Sequence, residues 1–131
     1  MAGLERFSPQ LLSVLRIMSG LMFLEHGTAK LLHIPHVAEF DSPLAPMLLA
    51  AGIIELVGGF LISIGFMTRI AAFICSGEMA VAYFQIHVRM GRSIFPVQNE
   101  GDAAVLFCFV FLFLVAAGAG PWSVDAMRRQ R

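Results

Sequence analysis

One charged residue constrains this chain more than any other. Glu55 stands inside the run Ile53–Arg69, IIELVGGFLISIGFMTR, which is apolar enough to be read as part of a membrane span. A lone Glu near the centre of a bilayer costs roughly 2–4 kcal/mol on insertion scales. An offsetting group is therefore expected, and ionisable residues lie on the neighbouring apolar runs: Arg16 on the first and Glu78 on the third. Glu55 thus predicts a polar interior within a small helical membrane protein.

Hydrophobic residues make up 58% of the chain and charged residues only 14%, with a mean hydropathy of +0.80. Soluble domains are about one quarter charged, so the expected surroundings are a lipid bilayer. The length allows one membrane domain, residues 1–131. Formal net charge is zero and no basic patch suits nucleic acid, which is excluded as a partner. Arg128, Arg129 and Arg131 form a short basic tail suited to anionic headgroups. The first apolar run follows Glu5 and Arg6, contains Arg16 and lacks a small-residue cleavage site, so it reads as retained.

Four helices are predicted, at about 9–32, 47–66, 70–87 and 103–118. Pro9 suits a first helical turn, and about 20 residues cross a hydrocarbon core. Pro35, Pro43 and Pro46 break the loop after the first helix. The short connection Met67–Arg69 forces an antiparallel hairpin. VRMGRSIFPVQNEGD, residues 88–102, reads as an extramembrane loop or re-entrant turn, and Gly120-Pro121 ends the fourth helix beside Trp122, a residue suited to the interface. The fold class is an all-α membrane protein, a four-transmembrane-helix antiparallel bundle. The positive-inside rule puts both termini in the cytoplasm of an inner-membrane protein: Arg6, Arg69, Arg128, Arg129 and Arg131 face in, and Lys30, Arg89 and Arg92 face out.

Helical projection places Arg16, Gly20, Phe23, Gly27 and Lys30 on one face, with His26 at its edge. Around Glu55 it gathers Ala51, Gly52, Gly58, Gly59 and Ile62, a face suited to close packing in lipid. On the third helix Ala71, Ile74, Glu78, Ala82, Gln85 and Arg89 form one stripe. Glu55 and Glu78 fall near mid-membrane, and Arg16 lies nearer the cytoplasmic end. One reading is an Arg–Glu pair that joins helices; another is a ligand or proton site in which one Glu is neutral or partnered by Lys30 or a histidine. Gly20, Gly27, Gly52, Gly58 and Gly59 are the expected helix-packing positions. Cys75 and Cys108 are offset by roughly 9 Å along antiparallel helices, too far for a disulfide. His26, His33, His36 and His87 fall at the outer end without a tight ligand spacing, so no metal site is expected.

The stretches RIMSGLMFLEHGTAKLL at 16–32, ELVGGFLISIGFMTRIAA at 55–72 and FPVQNEGDAAVLFCFVFLFLVAAGAGPWSVDA at 95–126 together resemble the DoxX family of small four-helix membrane proteins. One departure is local: many members read Asn-Gly-Gly-Glu where this chain has Asn99-Glu100-Gly101-Asp102. The family takes its name from a subunit of an archaeal thiosulfate:quinone oxidoreductase. The resemblance implies an accessory subunit of a quinone-linked membrane oxidoreductase, with Arg16, His26, Lys30, Glu55 and Glu78 lining a quinone or proton site. No covalent cofactor is expected, quinone is the candidate ligand, and electrons come from a soluble or membrane redox partner. The alternatives are a non-enzymatic scaffold or lipid/quinone-binding protein, including a homo-oligomer, and a small proton-coupled carrier.

Overall fold

The computed structural model describes residues 3–130, and every regular element among them is helical. After a 3-10 turn at Glu5–Phe7, α1 runs over Ser8–Leu32 and α2 over Pro46–Ile64. Each has a proline in its first turn, where a missing N–H leaves no helical bond unmade. Next, α3 (Thr68–Ala82) continues through a π-helical stretch, Tyr83–Val88, into α4 (Arg89–Gly91). The short α5 (Pro96–Asn99) leads to α6 (Asp102–Ala117), and α7 (Val124–Arg129) closes the described chain. Gly65 (φ +70°) and Gly118 (φ +84°) end α2 and α6 in conformations that side chains resist. Arg131, assigned above to the basic tail, lies outside the described residues.

Among the described residues, three helices are long and apolar enough to cross a membrane: Glu5–Leu32, Pro46–Ile64 and Thr68–Gly91. A fourth apolar helix, α6, is shorter at 16 residues. Large apolar side chains face outward from them: Phe60, Phe73, Phe109 and Phe113 are all more than half exposed. In water such a surface would be a liability, whereas against acyl chains it costs nothing. The protein is therefore a multi-pass membrane protein.

Glycines set how closely α1 and α2 approach. A Cβ at Gly27 would lie 2.7 Å from the Leu56 Cα, one at Gly59 2.6 Å from the Leu24 nitrogen, and one at Gly20 2.7 Å from the Ser63 nitrogen. Gly52 makes room for Leu31 and the Lys30 stem in the same way. Residue numbers rise on one helix as they fall on the other, so the pair is antiparallel. Without a hydrophobic drive between helices in lipid, such backbone contact carries the packing. Gly58 serves a different neighbour, because a Cβ there would collide with Cys75 Sγ on α3.

The helices α3 and α6 are joined by the Ser76 hydroxyl, which donates to the Cys108 carbonyl at 2.8 Å. Both cysteines are free. Phe23 of α1 meets Phe111 of α6 edge-to-face at 4.8 Å, which ties the two pairs of helices together over buried Ile62, Ala72, Cys75 and Leu114. The stripe expected on the third helix is only partly buried: Ile74, Gln85 and Arg89 are exposed, and the inward line runs Ala72, Cys75, Met79, Tyr83. The π-helical stretch adds a residue to one turn and changes the phase of everything after it. His87, not Gln85, is thereby turned toward the interior.

The expected pairing of Arg16 with a glutamate does not form. Arg16 is fully buried and donates only to carbonyls: Nε to Ala119 (2.7 Å), Nη1 to Ile62 and Ser63 (both 2.6 Å), and Nη2 to Trp122 (2.5 Å). The antiparallel register sets Arg16 against the last turn of α2, about 11 Å along that helix from Glu55. Carbonyls at a helix C-terminus lack intrahelical donors and carry the negative end of the dipole, so a guanidinium there satisfies both. Replacing Arg16 by Leu should cost about 3–5 kcal/mol, since four carbonyls lose a charged donor. Lys should not restore it, lacking the planar fork. Arg16→Leu combined with Glu55→Leu should melt no higher in detergent than Arg16→Leu alone; recovery would restore the Arg–Glu pairing.

Candidate functional site

The two ends of the helices are built differently. At the end carrying both termini, Asp125 of α7 accepts hydrogen bonds from the backbone N–H groups of Met67 and Thr68, both at 3.0 Å, and so caps α3. Ser123 opens α7 by accepting from Ala126 N. Arg69 donates to the Val115 and Ala116 carbonyls at the end of α6. Every charged group named here completes a helix terminus.

At the opposite end the charges converge on open space. Lys30 sits in the last turn of α1, and the α1–α2 register sets it beside Gly52 and Glu55. Its Nζ donates to both Glu55 oxygens, at 2.7 and 2.6 Å, with the side chains 9% and 2% exposed. Of the partners considered for a buried glutamate, Lys30 is the one that pairs with Glu55; it turns inward because Glu55 needs a counter-charge and Gly52 leaves room for the lysine stem. Lys30 also lies 5.5 Å from the Phe40 ring centroid, a cation–π distance.

Glu78, on α3, reaches the same space from the other side. Its Oε2 is buried and has no hydrogen-bond partner among the described residues. His26 stands at the rim, its ring edge-on to Phe107 at 5.9 Å and its Nδ1 2.8 Å from the Met22 carbonyl. His87 stacks on Tyr83, with Nδ1 3.1 Å from the Asn99 carbonyl. Asn99 organises the segment between α4 and α6: it donates to the Ser93 carbonyl (2.9 Å) and the Tyr83 hydroxyl (3.3 Å) and accepts from Gly101 N (2.8 Å). In the departing stretch Asn99–Asp102, Glu100 faces the cavity while Asp102 sits in the first turn of α6, where its charge suits the dipole.

These groups line a cavity of about 440 Å³ among α1, α2, α3 and α6. Four of the five ionisable residues singled out from sequence meet there, His26, Lys30, Glu55 and Glu78, and Arg16 does not. Glu39, His87 and Glu100 also line it and were not anticipated. His87 carried no sequence signal, because only the π-helical turn directs it inward. Of the five glycines, Gly20, Gly27, Gly52 and Gly59 shape α1–α2, and Gly58 shapes α2–α3. Phe23, Phe107 and Met79 supply apolar walls. Among the described residues no group of three or more His, Cys, Asp or Glu could hold a metal ion. His36 instead lies 2.9 Å from Asp41.

A family model described as DoxX matches residues 11–88. The chain belongs to the DoxX family. A Haemophilus influenzae protein described as uncharacterized is 45% identical over 128 residues, covering 95% of this chain and 96% of its own. No solved structure matches. In this DoxX chain the matched segment contains His26, Lys30, Glu55, Glu78 and His87, whereas Glu100 and Phe107 lie beyond it.

Two outcomes follow from this geometry. Lys30→Met strands the Glu55 charge and should cost about 3–5 kcal/mol, while Lys30→Met with Glu55→Leu should recover most of it; melting temperatures of the four proteins in detergent complete the cycle. At the other end, partial burial works to raise the Asp125 carboxyl, but hydrogen bonds from Thr68 and Met67 and the Arg129 charge outweigh it and hold it below the usual carboxylate range. A depressed folded-state value stabilises above the ordinary carboxylate pKa of about 4, and that contribution is lost as pH falls through the folded value. Asp125→Asn should therefore lower the melting temperature at pH 7 and converge on wild type toward pH 3. A gap independent of pH would count against the charged cap.

Proposed function

We propose that this protein is an accessory subunit of a quinone-linked membrane oxidoreductase, and that the cavity opposite the termini receives the quinone head. The observation that carries the reading is that cavity: a buried Lys30–Glu55 ion pair, the unpartnered Glu78 oxygen and two imidazoles, walled by Phe23, Phe107 and Met79. A quinone accepts two electrons and takes up protons as it is reduced. The residues fit such a head group. Lys30 offers ammonium donors for a carbonyl oxygen, Glu78 holds or releases a proton at its free oxygen, and His26 and His87 connect the interior with the rim. Aromatic and thioether walls exclude water from the ring. The electrons come from a soluble or membrane redox partner.

In this reading the chain is a single four-helix antiparallel domain of the bacterial inner membrane, with both termini cytoplasmic. Arg6, Arg69, Arg128 and Arg129 then face the cytoplasm and Arg89 and Arg92 face out, in keeping with the positive-inside rule. Ligand binding is favoured over carriage across the membrane by what fills the other half of the interior. Arg16, Ile62, Phe111 and Leu114 are all fully buried there, so the polar space continues only to one end. The scaffold alternative leaves the convergence of Lys30, Glu55 and Glu78 on one cavity without a purpose.

The test is quinone binding to protein in lipid nanodiscs, read as thermal stabilisation across a concentration series of a decyl-tailed benzoquinone. Wild type should saturate, and the folded Lys30→Met/Glu55→Leu protein should bind at least tenfold more weakly. Equal affinity in the two proteins would sink the assignment of the head-group site.

A further inference from the structure

The cavity is not sealed from the lipid side. Between α2 and α3 runs a second, apolar groove of about 230 Å³, whose walls include Ala50 and Ile54 on α2 and Ile74 and Val81 on α3. Ala51, Glu78, Ala82 and Ile86 line both this groove and the polar cavity. The partition between lipid and the charged interior is thus made of two alanines, one isoleucine and a carboxyl group. Two other seams are closed: glycines bring α1 onto α2, and Ser76 bonds α3 to α6. The α2–α3 seam also faces outward, with Ile74 51% and Val81 55% exposed.

We propose that this seam is a lateral opening through which an uncharged amphipathic ligand dissolved in the bilayer reaches the cavity, its apolar tail lying in the groove and its polar head at Glu78. Three observations specify that class of ligand. The groove is apolar except for Glu78, so what lies along it is a hydrocarbon chain. The unpartnered Glu78 oxygen stands where groove and cavity meet and needs a hydrogen-bonding group. A charged head would have to leave the interface and cross hydrocarbon to arrive by this route, losing its hydration, whereas a carbonyl or hydroxyl head crosses far more readily. The proposal rests on the quinone reading for the identity of the head and adds the route and the seat of the tail.

Two probes with one head group separate the route from the site: 2,3-dimethoxy-5-methyl-1,4-benzoquinone without a tail, and the same ring with a decyl chain. Affinities are measured by thermal stabilisation in nanodiscs for wild type, Ala50→Phe and Val81→Phe. Both substituted positions are exposed groove walls outside the polar cavity, so a larger side chain fills the groove without entering the head-group site. The expected result is that each variant binds the decyl probe at least tenfold more weakly than wild type while the tail-less ring binds all three proteins alike. Unchanged decyl affinity in both variants, or equal weakening of the two probes, overturns the lateral opening and leaves the head-group site standing. Failure of wild type to bind either probe overturns the quinone reading and this proposal with it.

Discussion

Burial of the Arg16 guanidinium against backbone carbonyls is the interaction on which the rest of the structure depends. It gathers the end of α2 and the Ala119–Trp122 turn around the first helix. In hydrocarbon, a carbonyl without a donor costs several kcal/mol, so irregular backbone survives at that depth only where the protein satisfies it. The turn after α6 is such a segment, and Arg16 and Ser13 supply its donors and acceptors: the Trp122 N–H donates to the Ser13 hydroxyl at 3.2 Å. Asp125, carried by the same C-terminal stretch, then caps α3. At this end Arg16, Arg69 and Asp125 are thereby committed to helix ends and turns, while Gln10 Oε1 and Thr68 Oγ1 are buried there without a partner among the described residues.

Glycine contacts hold α1 to α2, the Ser76 hydroxyl joins α3 to α6, and the Phe23–Phe111 contact joins α1 to α6. The Lys30–Glu55 pair at the other end is balanced in charge, and its desolvation is offset by its own two hydrogen bonds and the Phe40 ring beside Lys30. Glu78 has a buried oxygen with no partner among the described residues. An ionisable residue inside a membrane protein is a functional-site hypothesis by default, and Glu78, beside the Lys30–Glu55 pair on one cavity, is the reason the proposed site is placed at this end.

Much of this was legible in the chain. The helices fall within a few residues of the segments read from hydropathy, because a run of apolar residues long enough to cross lipid has to be helical there. The glycine faces were legible for a related reason: 3.6-residue periodicity puts Gly20, Gly27, Gly52 and Gly59 where backbones touch. Ionic pairing was not legible. Arg16 and Lys30 share one face of α1, and periodicity alone does not say which of them lies opposite Glu55. His87 and the outer half of the third helix escaped for another reason, since a single π-helical turn rotates everything beyond it.

The sequence by itself determined a membrane protein of apolar helices, a polar interior around Glu55 and kinship with the DoxX family, because composition, period and ordered motifs are properties of the chain alone. Tertiary structure decided that Arg16 is a clamp on carbonyls, that Lys30 is the counter-charge of Glu55, and that Glu78 and His87 join them around one cavity. The reason is physical. A charge in a low-dielectric interior answers to whatever lies within a few ångströms, and that neighbourhood is set by the helix register that the glycine contacts impose.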